Sequence, residues 1–443
     1  MNTYLFKEIN KDYFNIHFFV LKLFGISIKP VENSITGIMY KIYSVILFVL
    51  CFIGYPTSLF FFLYLNADLE NATLVLCFLL TYILGTFKLI IILIFKRKIT
   101  TFSTYIENEP FLPDNNRSND KEFIYVEDAI RTCNNQGYIF HFLVVLIVVQ
   151  RLYYAANDAG YDKQFWDFST NTTLVKHVKS TPFYTVLPFE PIDFPYYEIT
   201  VMYQTYCSAT YGFVIGATDA IICGIMCHIK AQLLILKNCL KTYIQRGIYL
   251  MKEDKIDINI REFEKYQEPK VDTFNVHKVP LVFQKYVEIS ITQLMRHHQK
   301  ILELAEGAED TFSFLMLIQF LFSLALICFQ LFQLSIYTLP SVKFFSMLSY
   351  LLLMLYQIFV YCYHGNEVML YSLSVIDAVF ESNWVMVNIK CQKSLLLLML
   401  RASRPIKMTA GKFVYLSLES FMSIVRGSGS YFMVLTNMNA RKQ

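Results

Sequence analysis

Lys88, Arg151, Asp219, Glu419 and Arg426 fall inside stretches that are otherwise almost wholly apolar. Charged side chains are costly in hydrocarbon, so such residues are candidates for function. Lys88, Arg151 and Asp219 sit within about two turns of the ends of their stretches, where snorkelling or an ion pair between neighbouring helices accounts for them equally well. His297-His298 would need carboxylate or thiolate partners at helical spacing to bind a metal, and none is apparent. There is no Gly-rich phosphate loop, no H-E-x-x-H and no G-x-S-x-G. The ten cysteines form neither a C-x-x-C pair nor a zinc spacing, and most lie in apolar runs where Cys acts as a small hydrophobe. Catalysis, a metal and a cofactor are therefore not expected.

The elements that carry these residues are membrane spans. The chain is 55% hydrophobic, 16% aromatic and only 17% charged, below the quarter usual in soluble domains. Forty Phe and 31 Tyr exceed what one soluble core would hold. The net charge of +4 is small, and no nucleic-acid partner is expected. A bilayer core of about 30 Å needs roughly 20 apolar helical residues. Stretches 42–65, 72–95, 138–155, 197–227, 312–339, 344–363 and 413–438 qualify, the last most weakly. Seven spans place the two ends on opposite sides. Lys7, Glu8, Lys11 and Asp12 precede the first apolar run, so that span is expected to act as its own insertion signal.

Orientation follows from the basic residues. Segments 1–41, 96–137, 228–311 and 364–412 carry 30 of the 39 Lys+Arg, the opposite segments six, and the spans three. The first set is also the longer, so the informative charges are those flanking spans: Lys41, Lys96-Arg97-Lys98, Lys230, Lys407 and Lys412. They predict a cytoplasmic N-terminus and an extracellular C-terminus. The sequons at Asn71 and Asn171 then fall outside and that at Asn116 inside, with Asn171 the candidate for glycosylation because Asn71 lies against the membrane.

The outer loop 156–196 is aromatic, and Pro182, Pro188, Pro191 and Pro195 hold its second half extended, either packed on the bundle or as a lid. The inner segment 228–311 has helical flanks, Cys227–Tyr243 and Val282–Glu309, around a polar middle, Met251–Gln267, expected to be mobile. Leu395–Leu400 is apolar but too short to span, so it is expected to be buried or interfacial. Spans two, three, four and six carry polar-tipped aromatics: Tyr82, Tyr153, Tyr203, Tyr206, Tyr211 and Tyr350. An apolar pocket with a few hydroxyls suits a small volatile ligand, although aromatic packing explains any one of these residues. Burying about 300 Å² at about 25 cal/mol/Å² gives about 7 kcal/mol before binding costs, hence affinity near micromolar or weaker. The last span is lined by Ser417, Ser420, Ser423, Gly427, Ser428, Gly429, Ser430 and Thr436, which fits close helix packing or a face exposed to water.

The C-terminal third resembles the insect chemoreceptor superfamily, and more closely its odorant-receptor branch. The resemblance is carried by Ser382-Asn383-Trp384, Leu395–Lys407, Ala410-Gly411-Lys412-Phe413 and the closing Ser430-Tyr431-Phe432-Met433-Val434-Leu435. That close is similar to a T-Y-x-x-x-x-x-Q-F signature, departing at Ser430, Asn437 and Met438. His298-Gln299, Pro195-Tyr196-Tyr197-Glu198 and Asp219 extend it across spans four to seven. The resemblance implies an all-α, seven-helix subunit of a tetrameric odorant-gated cation channel with a cytoplasmic helical anchor region. It implies assembly with an odorant co-receptor as a heterotetramer, in the plasma membrane of olfactory sensory neuron dendrites. Residues 1–363 would hold spans one to six and the pocket, 364–412 the anchor helix, and 413–443 the pore helix. By position, Val434, Asn437 and Met438 would line the pore. The volatile, hydrophobic odorant would sit among Phe78, Tyr82, Thr86, Val145, Val149, Tyr153, Tyr203, Tyr206, Thr210, Tyr350 and Leu353.

A gustatory receptor of the same superfamily is the nearest alternative. A G-protein-coupled receptor also has seven spans, but with the opposite orientation, and neither D-R-Y nor N-P-x-x-Y is present. A transporter would show paired halves with broken helices, and no internal repeat is visible.

Overall fold

In a computed structural model, residues 12–30, 34–65, 69–114, 117, 121–158, 160–167, 172–254 and 281–440 are described. The apolar runs form a bundle of long helices. After a short helix α1 (Asn15–Leu23), the first span runs from α2 (Ile35–Leu47) through a π-helical stretch, Phe48–Gly54, into α3 (Tyr55–Leu65). Pro56 stands where the π stretch gives way to α3, and its missing N–H removes the bond that would close a regular turn. The next spans are α4 (Leu69–Ile106) and α5 (Lys121–Asn157). The antiparallel hairpin β1 (Tyr161–Asp167) and β2 (Thr172–Val178) follows, then α6 (Tyr196–Glu253), α7 (Leu281–Ile336) and α8 (Val342–Phe380). The chain closes through α9 (Ile389–Ala402), a small hairpin of β3 (Thr409–Ala410) and β4 (Val414–Tyr415), and α10 (Leu418–Ala440).

Among the described residues, six of the spans are long and apolar enough to cross a membrane. The helix α10 has the length, 23 residues, but its serines, glycines, Glu419 and Arg426 dilute its hydropathy. The expected spans are the apolar cores of longer helices. At 1.5 Å per residue the 58 residues of α6 extend about 87 Å, well beyond a bilayer core of about 30 Å. Together with the 56 residues of α7, it forms the scaffold on which the expected helical flanks project.

Buried nearly all round, α6 is the centre of the bundle. Gly212, Gly216, Ala220 and Gly224 recur every four residues on the face that meets α5. A Cβ on Gly212, Gly216 or Gly224 would lie within 2.6 Å of Val144, Phe140 or Cys133, so these glycines set the approach of the two helices.

Several features differ from the sequence reading. The fold is all-α as expected, and among the described residues two short hairpins in its connections were not foreseen. Helix α1 is amphipathic and packs Phe14, His17, Phe18 and Leu21 into the bundle, although it is too short to register as a span. The boundary placed at 363/364 falls inside α8, which continues to Phe380 without a break. Asn116, Asn171 and most of the polar middle of segment 228–311 lie outside the described residues.

Candidate functional site

Near the β1–β2 end of the bundle, α4, α5, α6 and α8 enclose an apolar cavity of about 50 Å³, several times the room one water needs. Helix α4 supplies Phe78, Thr81, Tyr82 and Leu84, and α5 supplies Phe140, Val144, Ile147 and Val148. Helix α6 supplies Ser208, Tyr211, Gly212 and Ile215, and α8 supplies Tyr350, Leu353, Met354 and Gln357. Phe183 from the loop after β2 closes one end. It is fixed by Gln204, which accepts from the Phe183 N–H at 3.2 Å and donates to its carbonyl at 2.8 Å.

The wall is made of aromatic rings whose hydroxyls are satisfied within the protein. Phe78 stacks on Tyr350 with centroids 5.3 Å apart and meets Phe183 edge-on. Tyr82 donates to Ser208 at 3.2 Å, and Tyr350 donates to the Cys77 carbonyl at 3.1 Å and meets the Thr81 hydroxyl. Such a surface selects by shape and dispersion, with few directional contacts.

The expected site residues divide by helix face. Phe78, Tyr82, Tyr350 and Leu353 line the cavity, as does Tyr211. Thr86 stands behind it and bonds the Tyr211 hydroxyl at 3.0 Å. Val145, Val149 and Tyr153 are exposed on the outside of the bundle. The buried stripe of α5 runs Gly137, Phe140, Val144, Ile147 and Arg151, and a residue one position on is turned about 100° away. Tyr203, Tyr206 and Thr210 lie on the side of α6 opposite to Ser208, Tyr211, Gly212 and Ile215, and Tyr203 donates to Leu50 of the first span at 2.8 Å. Sequence reading found Tyr211 but missed the rest of the cavity faces of α5 and α6. The glycine period of α6 was the available signal, since Gly212 marks the face that meets α5.

Below the cavity lies a buried polar cluster. Lys88 donates to Asp219 at 2.5 Å, and the same carboxylate accepts from Gln357 at 2.5 Å and Tyr361 at 2.6 Å. Gln357 also accepts from Gln319 of α7 at 3.0 Å, and Gln319 donates to Ser323 at 2.9 Å. Lys88 and Asp219 are thus paired between spans.

Helix α10 leans on α7 and α8 through Ile424, Ser428 and Phe421. Val434, Asn437 and Met438 are exposed on its free side. His297 and His298 are buried in the extension of α7, with His297 bonded to Gln232 at 3.0 Å. Among the described residues no group of His, Cys, Asp and Glu is arranged to hold a metal.

These features define a seven-helix membrane protein with an apolar cavity among four of its spans. A family model of the 7tm odorant receptors matches residues 68–429, and the chain belongs to that family. It is similar to odorant receptor 10 of Aedes albopictus, 27% identical over 34% of this chain and 40% of that one. Odorant receptor 67c of Drosophila melanogaster is 31% identical over 32% and 35% of the two chains. Odorant receptor Or1 of Anopheles gambiae is 25% identical over 56% and 59%. In each case the matched stretch is less than two thirds of the relative's length. Among solved structures, the olfactory receptor OR5 of Machilis hrabei in complex with eugenol matches with a TM-score of 0.72 and 16% identity, over 96% of this chain and 100% of that one. That likeness shows a shared fold.

Proposed function

We propose that this chain is the odorant-binding subunit of a heteromeric, odorant-gated, non-selective cation channel that detects a small hydrophobic volatile. The observation that carries the reading is the cavity: apolar, set between four helices, and walled by aromatic rings whose hydroxyls already have partners. Membership of the odorant receptor family supports it, and the related fold was solved with eugenol bound.

In this reading the N-terminus is cytoplasmic, consistent with the basic residues flanking the spans, and the β1–β2 hairpin is extracellular. Four subunits, this chain with an odorant co-receptor, surround the pore with α10. Val434, Asn437 and Met438 face it, which accounts for their exposure on the single chain. The anchor helix α9 buries Cys391, Leu395 and Leu398 against its own chain and leaves Leu396, Leu397 and Leu400 exposed for a neighbouring subunit. The assembly resides in the plasma membrane of olfactory sensory neuron dendrites.

Co-expression with the co-receptor, recording current across a broad odorant panel, tests the function. An odorant-evoked cation current is expected, and its absence across the panel refutes the reading. Glycosylation mapping at Asn171 tests the orientation: an unmodified, cytosol-accessible site would overturn it.

A further inference from the structure

We infer that the polar layer at the β1–β2 end of the cavity binds a carboxylate, so that the ligand is a small carboxylic acid whose apolar tail fills the cavity. This rests on the cavity being the ligand site and adds the chemistry that selects the ligand.

Arg151 carries the argument. It is only 5% exposed, and no carboxylate pairs with it among the described residues. Its Nε has no hydrogen-bond partner, and its guanidinium lies 5.0 Å over the ring of Phe78. Among the described residues the other buried charges in the bundle are paired: Lys88 with Asp219, and Glu122 with Arg117. A guanidinium this little exposed and without a counter-charge is costly within a membrane span, and a ring face compensates only part of that cost.

Two further buried side chains lie in the same layer. Gln330, fully buried on α7, has no partner for either amide atom, and Ser346, 1% exposed on α8, has none for its hydroxyl. The hydrogen bond from Gln333 to Thr73 aligns this part of α7 with the start of α4. The bond from Tyr350 to the Cys77 carbonyl aligns α8, and Ser346 is one turn nearer the hairpin end. Arg151 is an electrostatic neighbour of Cys77, Tyr82 and Tyr350. It stands one turn beyond Ile147 and Val148, which line the cavity. Arg151 thus offers a planar fork of donors suited to holding a carboxylate bidentately, and by helix register the unpartnered Gln330 amide and Ser346 hydroxyl lie at about the same depth. Phe78 stands at the boundary, lining the cavity and carrying Arg151 over its ring.

The test compares butanoate with methyl butanoate, which share a chain short enough for the cavity and differ in charge. Binding to the full-length chain, purified in lipid nanodiscs, is read as ligand-induced thermal stabilisation. Butanoate is expected to bind at least about tenfold tighter than the ester, and Arg151→Gln to abolish that preference while leaving the ester's affinity within about twofold. Arg151→Lys, which keeps the charge and loses the fork, should fall between. Equal or tighter binding of the ester to the unaltered chain, a comparison that needs no variant, overturns the inference. So does an Arg151→Gln chain that loses both ligands equally. A chain that binds butanoate but gives no current in cells would refute the channel reading and leave this site standing. A channel opened by the ester and indifferent to the acid would do the reverse.

Discussion

Breaking the Lys88–Asp219 pair from each side should give unequal losses. Lys88 is fully buried and has one carboxylate partner at 2.5 Å, supplemented only by the Tyr361 ring at 5.5 Å. Asp219 has three donors: Lys88, Gln357 and Tyr361. Asp219→Asn therefore strands a buried ammonium, at a cost of about 3–5 kcal/mol. Lys88→Met leaves a buried carboxylate without its counter-charge but still accepting two hydrogen bonds, so its cost falls at the lower end of that range, about 3 kcal/mol. The double variant removes both charges and should be less destabilised than the sum, with a coupling of about 1–3 kcal/mol. The assay is thermal unfolding of the purified chain in detergent, supported by the fraction reaching the cell surface. Lys88→Met as damaging as Asp219→Asn, or strictly additive losses, would refute the reasoning that donor count sets the asymmetry.

Three more outcomes follow from the geometry. A lysine at Val434 or Met438 should reduce cation conductance, measured in single-channel recordings; unchanged conductance and selectivity would remove these residues from the pore. Burial, reinforced by Arg117 and His298, lowers the His297 pKa from 6.5 to about 3, so its contribution to stability is complete above pH 6.5 and is lost as pH falls from there toward 3. At pH 5 that loss is about 2 kcal/mol, and His297→Gln should flatten the dependence of melting temperature on pH between 7 and 5. A Cβ at Gly365 would lie 2.4 Å from the Leu416 Cβ and 2.6 Å from its carbonyl oxygen, just before α10. Gly365→Ala should cost about 1–3 kcal/mol and displace the lead-in to α10, read as a lower melting temperature and altered unliganded channel activity.

The spans were legible because an uninterrupted apolar run of bilayer length has few other uses, and the extensions of α6 and α7 because their polar flanks keep a helical character. The α10 span was legible only as a weak one, since Glu419, Arg426 and the serines that mark it also lower its hydropathy. Which face of each helix turns inward was less legible. Val144 and Val145 are the same residue type one position apart, yet one lines the cavity and the other is exposed, because only packing fixes the rotation of α5. On α6 the tyrosines divide in the same way: Tyr211 faces the cavity while Tyr203 bonds the first span. Phe183 and Gln357 could not be found from sequence, since a loop ring and an amide gain meaning only from the helices they meet. Arg151 was visible as an intramembrane charge, but its lack of a partner is a three-dimensional fact.

The cavity and the proposed pore helix are joined by contiguous polar contacts. Gln357 lines the cavity, binds Asp219, and accepts from Gln319, which donates to Ser323. The carbonyl of the next residue on α7, Leu324, lies 3.1 Å from the hydroxyl of Ser428 on α10, which shares its proton between that carbonyl and the Ile424 carbonyl of its own helix at 2.8 Å. A ligand that displaces the Gln357 amide therefore disturbs α7 within one turn of its contact with α10. Contiguity is geometry, whereas coupling is a free energy shared by two sites. A double-mutant cycle with Gln357→Leu and Ser428→Ala measures it, taking ligand-evoked opening as the readout and ligand affinity as the control. Coupled residues should show an interaction above about 0.5 kcal/mol in opening with none in binding. Additive effects on opening would mean that the signal from the cavity reaches α10 by another route.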